Sequence, residues 1–207
     1  MSRRVVVAAI CAAALVSGCD LSAGSVLRGE MRGMELDPPL AKPSFVFPAA
    51  DGRMYDFRKE TDGDLALIFF GYTHCPDICP VHMNNIMAVL KKMSESDVRR
   101  VHVLFVTTDP ARDTEQRLRD WLGMMDLRII GLRPTAEEAI RLQSQLGIQP
   151  ALVLEPRAGH EGNYDVSHAA QVIAFAPDNL GRVAYAAGTR QTDWAHDIPL
   201  LLRMKAK

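Results

Sequence analysis

Short apolar runs alternate along this chain with longer segments in which apolar residues recur at helical spacing. The uninterrupted runs predict strands, and they occupy 65–70, 101–106 and 127–132. The helical spacing predicts helices at about 80–93, 113–122 and 135–146. Strands and helices that alternate in this order indicate a parallel-sheet architecture.

Turn residues predict two hairpins that frame this pattern. The paired segments are 45–47 with 54–57 around Asp51-Gly52, and 171–176 with 182–187 around 177–181. A closing helix is predicted at 192–205, with Pro199 interrupting its hydrogen bonds. The complete order predicts an α/β chain with a thioredoxin-like fold: a central mixed sheet flanked by helices, with an N-terminal β-hairpin extension.

The first residues have the pattern of an export signal. A basic pair at 3–4 precedes an apolar run at 5–16, which is too short to span a bilayer permanently. Ser17, Gly18 and Cys19 follow, and small residues before a cysteine resemble the bacterial lipobox, where the leader is cut and the cysteine carries lipid. The alternative is an ordinary secretory signal with an incidental cysteine.

The lipobox interpretation divides the chain into a signal peptide at 1–18, a flexible tether at 19–43 and a domain at 44–207. The tether is predicted from scattered charges, small residues and prolines. Asp20, the second residue of the mature chain, resembles the signal that keeps a lipoprotein on the inner membrane. We therefore expect an inner-membrane lipoprotein, anchored at Cys19, that faces the periplasm.

Length and charge exclude several classes of function. A chain of 207 residues has room for one globular domain with short extensions, and 48% hydrophobic residues predict a real core. The 24 basic and 25 acidic residues give a formal net charge of −1, so no long-range field attracts nucleic acid. We expect membrane contact through the lipid and no nucleic-acid partner.

Cysteine usage singles out one pair of thiols. Cys11 leaves with the signal peptide and Cys19 carries the lipid, so Cys75 and Cys79 remain in the folded domain. A disulfide across so short a loop would stabilise the fold little, which favours a chemical role over a structural one. The pair follows a predicted strand and opens a predicted helix, where the helix dipole lowers the pKa of a cysteine and favours the thiolate.

The segment around these cysteines, FGYTHCPDICP at 70–80, resembles the GYTxCPDxCP signature of the Sco/SenC family. The stretch 106–114 is similar to the family's DPxRDT segment, and 165–168 is similar to the stretch that bears its metal-binding histidine. Family members are thioredoxin-fold copper chaperones that help to build the CuA centre of cytochrome c oxidase. The resemblance thus implies a metallochaperone rather than an enzyme, with copper as cofactor. It also implies the CuA-bearing oxidase subunit as partner, and another periplasmic copper carrier as a second partner.

The resemblance implies a copper site made by Cys75, Cys79 and His168. Two thiolates four positions apart can converge on Cu(I), which prefers sulfur, and imidazole also tolerates Cu(II), so either oxidation state fits. Three ligands are too few for a closed structural zinc site. Ser167 departs from the family, which commonly has an acidic residue beside the histidine. Asp77, between the cysteines, either tunes their charge or forms a turn.

Other residues near the cysteines have simpler interpretations. His74 and His82 are expected to be solvated, although they are the next candidates if His168 is not a ligand. The methionines of the predicted helix 80–93 are expected in the core rather than on copper. For 109–114, a turn followed by an N-capped helix is a sufficient explanation.

Two rival functions use the same cysteines. A membrane-anchored thiol–disulfide oxidoreductase would use them as a redox-active pair that reduces the cysteines of the oxidase copper site. Redox thioredoxins usually carry two residues between the cysteines, whereas three separate Cys75 from Cys79, which favours metal binding. A thiol peroxidase, suggested by Thr73 two positions before Cys75, is the third interpretation.

We expect the substitution Cys19→Ala to abolish lipid attachment, because alanine has no sulfur to acylate. Labelling of cells with a radioactive fatty acid, followed by fractionation, measures the effect. The wild-type chain should be labelled and sediment with membranes, and Cys11→Ala, which changes a leader cysteine, should match it. A wild-type mature form that lacks lipid and is cut at another position would refute the lipobox interpretation.

Overall fold

A six-stranded mixed sheet forms the centre of the computed structural model, which describes residues 30–154, 164–167 and 169–205. The described residues form ten strands: β1 Met34–Ala41, β2 Val46–Pro48, β3 Met54–Asp56, β4 Leu65–Gly71, β5 Val101–Thr107, β6 Ile129–Leu132, β7 Leu152–Val153, β8 Val166–Ser167, β9 Val172–Phe175 and β10 Leu180–Tyr185. They also form six helices: α1 Phe57–Glu60, α2 Ile78–Leu90, α3 Glu95–Val98, α4 Glu115–Gly123, α5 Ala136–Gln145 and α6 Gln191–Leu201. The main sheet has the order β1-β10-β9-β4-β5-β6, and two separate ribbons pair β2 with β3 and β7 with β8.

The strand directions confirm the predicted mixed sheet. β4 pairs in parallel with β5, and β5 with β6, whereas β9 is antiparallel to both β4 and β10. The register places Gly71, the last residue of β4, beside Thr107, the last residue of β5. Because parallel strands end at the same edge, the chain that leaves β4 toward the cysteines starts next to the chain that leaves β5.

The apolar run of β4 is continuous because both faces of the sheet are covered. All seven residues of β4 are buried. Leu65, Leu67 and Phe69 belong to a cluster that includes side chains of α2, α4 and α6. The intervening residues belong to a second cluster that includes α1, α5 and the β2–β3 hairpin. Met83 and Met87 of α2 are buried in the first cluster, which confirms that they fill the core.

The longer elements follow the predicted order, whereas the short elements α1, α3, β7 and β8 were not predicted. Two further differences affect the site and its approach. The helix after the cysteines spans Ile78–Leu90, so it begins earlier than predicted and includes Cys79 in its first turn. The second difference is β1, Met34–Ala41, which lies inside the predicted tether. Prolines and charges in this segment do not have the pattern of a strand. Proline is nevertheless tolerated on an edge strand, and β1 is the edge strand of the described sheet, where it pairs with β10. The tether prediction is therefore wrong for these eight residues.

Asp197 of α6 holds the chain that enters β1. Its buried carboxylate accepts hydrogen bonds from the backbone N–H groups of Arg32 and Gly33, at 3.0 and 2.9 Å, and from the Tyr185 hydroxyl at 3.0 Å. Only glycine fits at position 33, since a Cβ there would lie 2.4 Å from Cγ1 of Val183.

Within the part of the chain that the structure describes, no helix is long and apolar enough to cross a membrane.

We expect Asp197→Ala to lower the free energy of unfolding by about 3 kcal/mol, because it removes the charged acceptor of two backbone N–H groups and of the buried Tyr185 hydroxyl. Urea unfolding followed by circular dichroism measures the change. The control is Asp120→Ala on α4, an exposed carboxylate that accepts a hydrogen bond from Gln116, and it should change stability by less than about 0.5 kcal/mol. Equal effects of the two substitutions would contradict this role of Asp197.

Candidate functional site

The two cysteines lie where β4 passes into α2. Cys75 is in the connecting loop, where its backbone N–H donates to the Tyr72 carbonyl at 3.1 Å, and Cys79 is in the first turn of α2. Both are present as thiols rather than as a disulfide. Cys79 has no exposed surface, whereas Cys75 retains 8%, so Cys75 is the more accessible residue of the pair.

Gly71 allows the Cys79 sulfur to pack against the end of β4. A Cβ at position 71 would lie 2.7 Å from Cys79 Sγ and 2.9 Å from Cε1 of Phe69. Both distances are far below van der Waals contact. The glycine of the cysteine segment is therefore a packing requirement of the site.

Burial raises the pKa of the Cys79 thiol well above its usual range. The hydrogen bond to the Cys75 side chain and the charge of that sulfur act in the same direction, and a hydrogen bond from the backbone of Tyr72 opposes them. This direction opposes the thiolate that the helix position predicts for Cys79, and its largest cause is the loss of hydration. A metal that binds this sulfur must displace its proton, so binding is coupled to proton release.

Asp113 fixes the loop that carries Cys75. Its fully buried carboxylate accepts hydrogen bonds from the Thr73 backbone N–H at 3.0 Å, from the Thr73 hydroxyl at 2.7 Å and from the Thr107 hydroxyl at 2.6 Å. Arg117 donates to the same Thr73 hydroxyl at 3.1 Å. Thr114 caps α4 as predicted, accepting from the Arg117 N–H, but the capped-helix explanation missed what Asp113 does for the cysteine loop.

Asp109 and Arg112 hold the chain that leads toward position 168. The Tyr164 hydroxyl donates to Asp109 at 2.8 Å, and Arg112 donates to the Tyr164 carbonyl at 2.9 Å. The guanidinium carbon lies 3.6 Å from the centre of the Tyr164 ring and 5.8 Å from that of Tyr72. Sequence reasoning did not single out Tyr164, because the contact joins residues more than fifty positions apart.

The structure brings Cys75 and Cys79 together, whereas the other two predicted site residues, His168 and Cys19, lie outside the described residues. Across 30–154, 164–167 and 169–205, no three His, Cys, Asp or Glu side chains are grouped as metal ligands would be. Asp77 is exposed at the N-cap position of α2, where its side chain makes no capping hydrogen bond.

The histidines beside the cysteines differ from each other. His74 is exposed, as predicted, and its Nδ1 lies 3.3 Å from the Thr73 hydroxyl. His82 is only 1% exposed, so the expectation that it is solvated is wrong. It lies on the inner side of α2, and its Nε2 is 3.1 Å from the Ala170 carbonyl oxygen.

Comparison with protein families gives a match to the family described as SCO1/SenC over residues 34–203. The chain is 34% identical over 123 residues to a protein of Stutzerimonas stutzeri whose name provisionally assigns copper binding. It is 30% identical over 126 residues to "Protein SCO2 homolog, mitochondrial" of Bos taurus. These alignments cover 59% and 60% of this chain, but 58% and 45% of the relatives. The chain thus spans about half the length of the curated relatives it matches.

Solved structures share the fold. ScoI of Bradyrhizobium japonicum, solved with copper bound, has a TM-score of 0.68 at 26% identity, over 79% of this chain and 99% of that one. Apo Sco1 of Thermus thermophilus has a TM-score of 0.72 at 23% identity, over 83% of this chain and 97% of that one. The likeness confirms the predicted thioredoxin-like fold.

We expect Gly71→Ala to destabilise the domain by about 2 kcal/mol, because the added methyl group overpacks the contact with Cys79. Thermal or urea unfolding measures the loss. The control is Gly123→Ala at the end of α4, where the nearest atom to a new Cβ is Leu127 Cδ2 at 3.4 Å. Truncation of the sulfur should relieve part of the strain, so Gly71→Ala should cost less in a Cys79→Ala background. The same cost in both backgrounds would remove Cys79 from the explanation.

Proposed function

Because this chain belongs to the SCO1/SenC family, we propose that it binds copper through Cys75 and Cys79 and delivers it to the CuA centre of cytochrome c oxidase. The observation that carries the proposal is the pair of buried sulfurs in hydrogen-bond contact at the end of β4. In this role copper is cargo, and the protein is a carrier rather than an enzyme.

The chemistry of the two sulfurs fits copper. Cu(I) prefers soft sulfur donors and low coordination numbers, and Cys75 and Cys79 supply two such donors whose side chains are in contact. The copper-bound ScoI of Bradyrhizobium japonicum, 26% identical to this chain, supports the same cargo here. His168 completes the proposed set, and its imidazole extends the site to Cu(II).

The proposed location is the periplasmic face of the inner membrane, through lipid on Cys19. Because Asp197 fixes the backbone at Arg32, the flexible part of the proposed tether is at most residues 19–31. Thirteen extended residues span at most about 45 Å. A tether of this length keeps the domain close to the membrane in which the oxidase lies.

Thiol–disulfide exchange is the second candidate function, since two thiols in contact on a thioredoxin-like fold can form a disulfide. Burial raises the pKa of Cys79, so Cys79 is a poor first nucleophile, and Cys75 would have to attack a partner disulfide. Copper delivery requires His168 as a ligand, whereas thiol–disulfide exchange requires only the two cysteines.

We expect His168→Ala to weaken copper binding by the isolated domain by at least tenfold, about 1.4 kcal/mol, because one of three ligands is lost. Competition with a chromophoric Cu(I) chelator measures the affinity. Cys75→Ser and Cys79→Ser should bind more weakly still. His102→Ala is the matched control, since His102 pairs with Asp64 at 3.2 Å near the opposite end of β5.

The same variants separate delivery from exchange in cells. For copper delivery, His168→Ala should lose cytochrome c oxidase activity and recover part of it with added copper, as should both cysteine variants. For exchange, the cysteine variants should fail while His168→Ala keeps nearly normal oxidase activity. That split result would replace the delivery proposal with the second candidate.

A further inference from the structure

His82 links the helix that carries Cys79 to a distant part of the chain. It lies three residues after Cys79 on α2, and its ring packs between apolar groups, 5.3 Å from the centre of Phe69 and 6.4 Å from that of Trp194. Its Nε2 is 3.1 Å from the carbonyl oxygen of Ala170, which is 88 positions away in sequence. A carbonyl can only accept, so Nε2 carries the hydrogen and donates it.

Ala170 occupies a particular place in the chain. It comes two residues after His168 and two residues before Val172, the first residue of β9. Val172 pairs with Phe69 of β4, the strand against which the His82 ring also packs. The hydrogen bond therefore holds the chain just before β9 against α2, the helix that contains Cys79.

The chain before position 168 is also held. Tyr164 is fixed by Asp109 and Arg112, as described above. The chain is therefore held at Tyr164 and again at Ala170, six residues later. The group that holds Ala170 is His82, which lies on α2 itself.

We infer that His82 is a positioning residue for the metal site, because its hydrogen bond to Ala170 sets where the chain beside His168 lies relative to Cys79. The inference rests on the proposed copper site. Leucine or phenylalanine at position 82 would fill the space but leave the Ala170 carbonyl without its donor. Glutamine carries an amide N–H group at about the reach of Nε2 and can replace the donor.

The first test needs no copper. In His82→Leu, hydrogen exchange of the backbone amides at 169–175 should accelerate at least tenfold, with His82→Gln within threefold of the wild type. The control, His102→Leu, should leave this segment unchanged. If His82→Leu does not fold, His82→Phe takes its place, because its ring also lacks a donor. Unchanged exchange at 169–175 in a folded variant without the donor overturns the inference.

The second test asks whether His82 acts through His168. His82→Leu should weaken Cu(I) binding at least fivefold, His82→Gln should restore it, and His82→Leu should have no further effect in a His168→Ala background. An equal loss in both backgrounds overturns the inference, because His82 would then act on the cysteines or on the fold. A different result would be a His168→Ala variant that binds Cu(I) as tightly as the wild type. That result would remove His168 from the proposed site and would therefore also overturn the positioning role of His82.

Discussion

A buried carboxylate determines the geometry of the end of the sheet from which the site is built. Asp113 has no exposed surface, and a charge without water is stable only when hydrogen-bond donors surround it. Its donors are Thr73, just beyond β4, and Thr107, at the end of β5. The cysteine loop cannot leave this position without stripping the carboxylate of its partners. The parallel pairing of β4 and β5 and the path of the chain toward Cys75 are therefore fixed together.

The chemistry of the cysteine pair follows from this fixed geometry. Because the loop is held, α2 begins close enough to β4 for Cys79 to pack where only glycine fits at position 71. The same close packing removes water from the sulfur and raises the pKa of the Cys79 thiol. The packing that places this sulfur therefore also disfavours its thiolate, so a metal that binds Cys79 would have to displace a proton.

Contacts between distant segments anchor other parts of the molecule. Asp109 and Arg112, between β5 and α4, hold Tyr164, and His82 of α2 holds Ala170, so the chain is attached on either side of position 168. Away from the cysteines, Asp197 of α6 accepts a hydrogen bond from the Arg32 backbone N–H and so fixes the chain just before β1. Among these anchors Asp109, His82 and Asp197 are buried, and each has a hydrogen-bond partner distant in sequence.

The sequence by itself determined the order of the elements, the β2–β3 hairpin, the core role of Met83 and Met87, the cysteine pair and the family, because local periodicity, turn residues and a contiguous motif encode them. Tertiary structure decided the rest. Met34–Ala41 is a strand only because β10 offers a free edge to a segment whose prolines predict a tether. The His82 ring is buried beside Phe69 and Trp194, and burial among surrounding elements raises the pKa of the Cys79 thiol. Burial depends on which distant residues meet, and no local pattern along the chain specifies that.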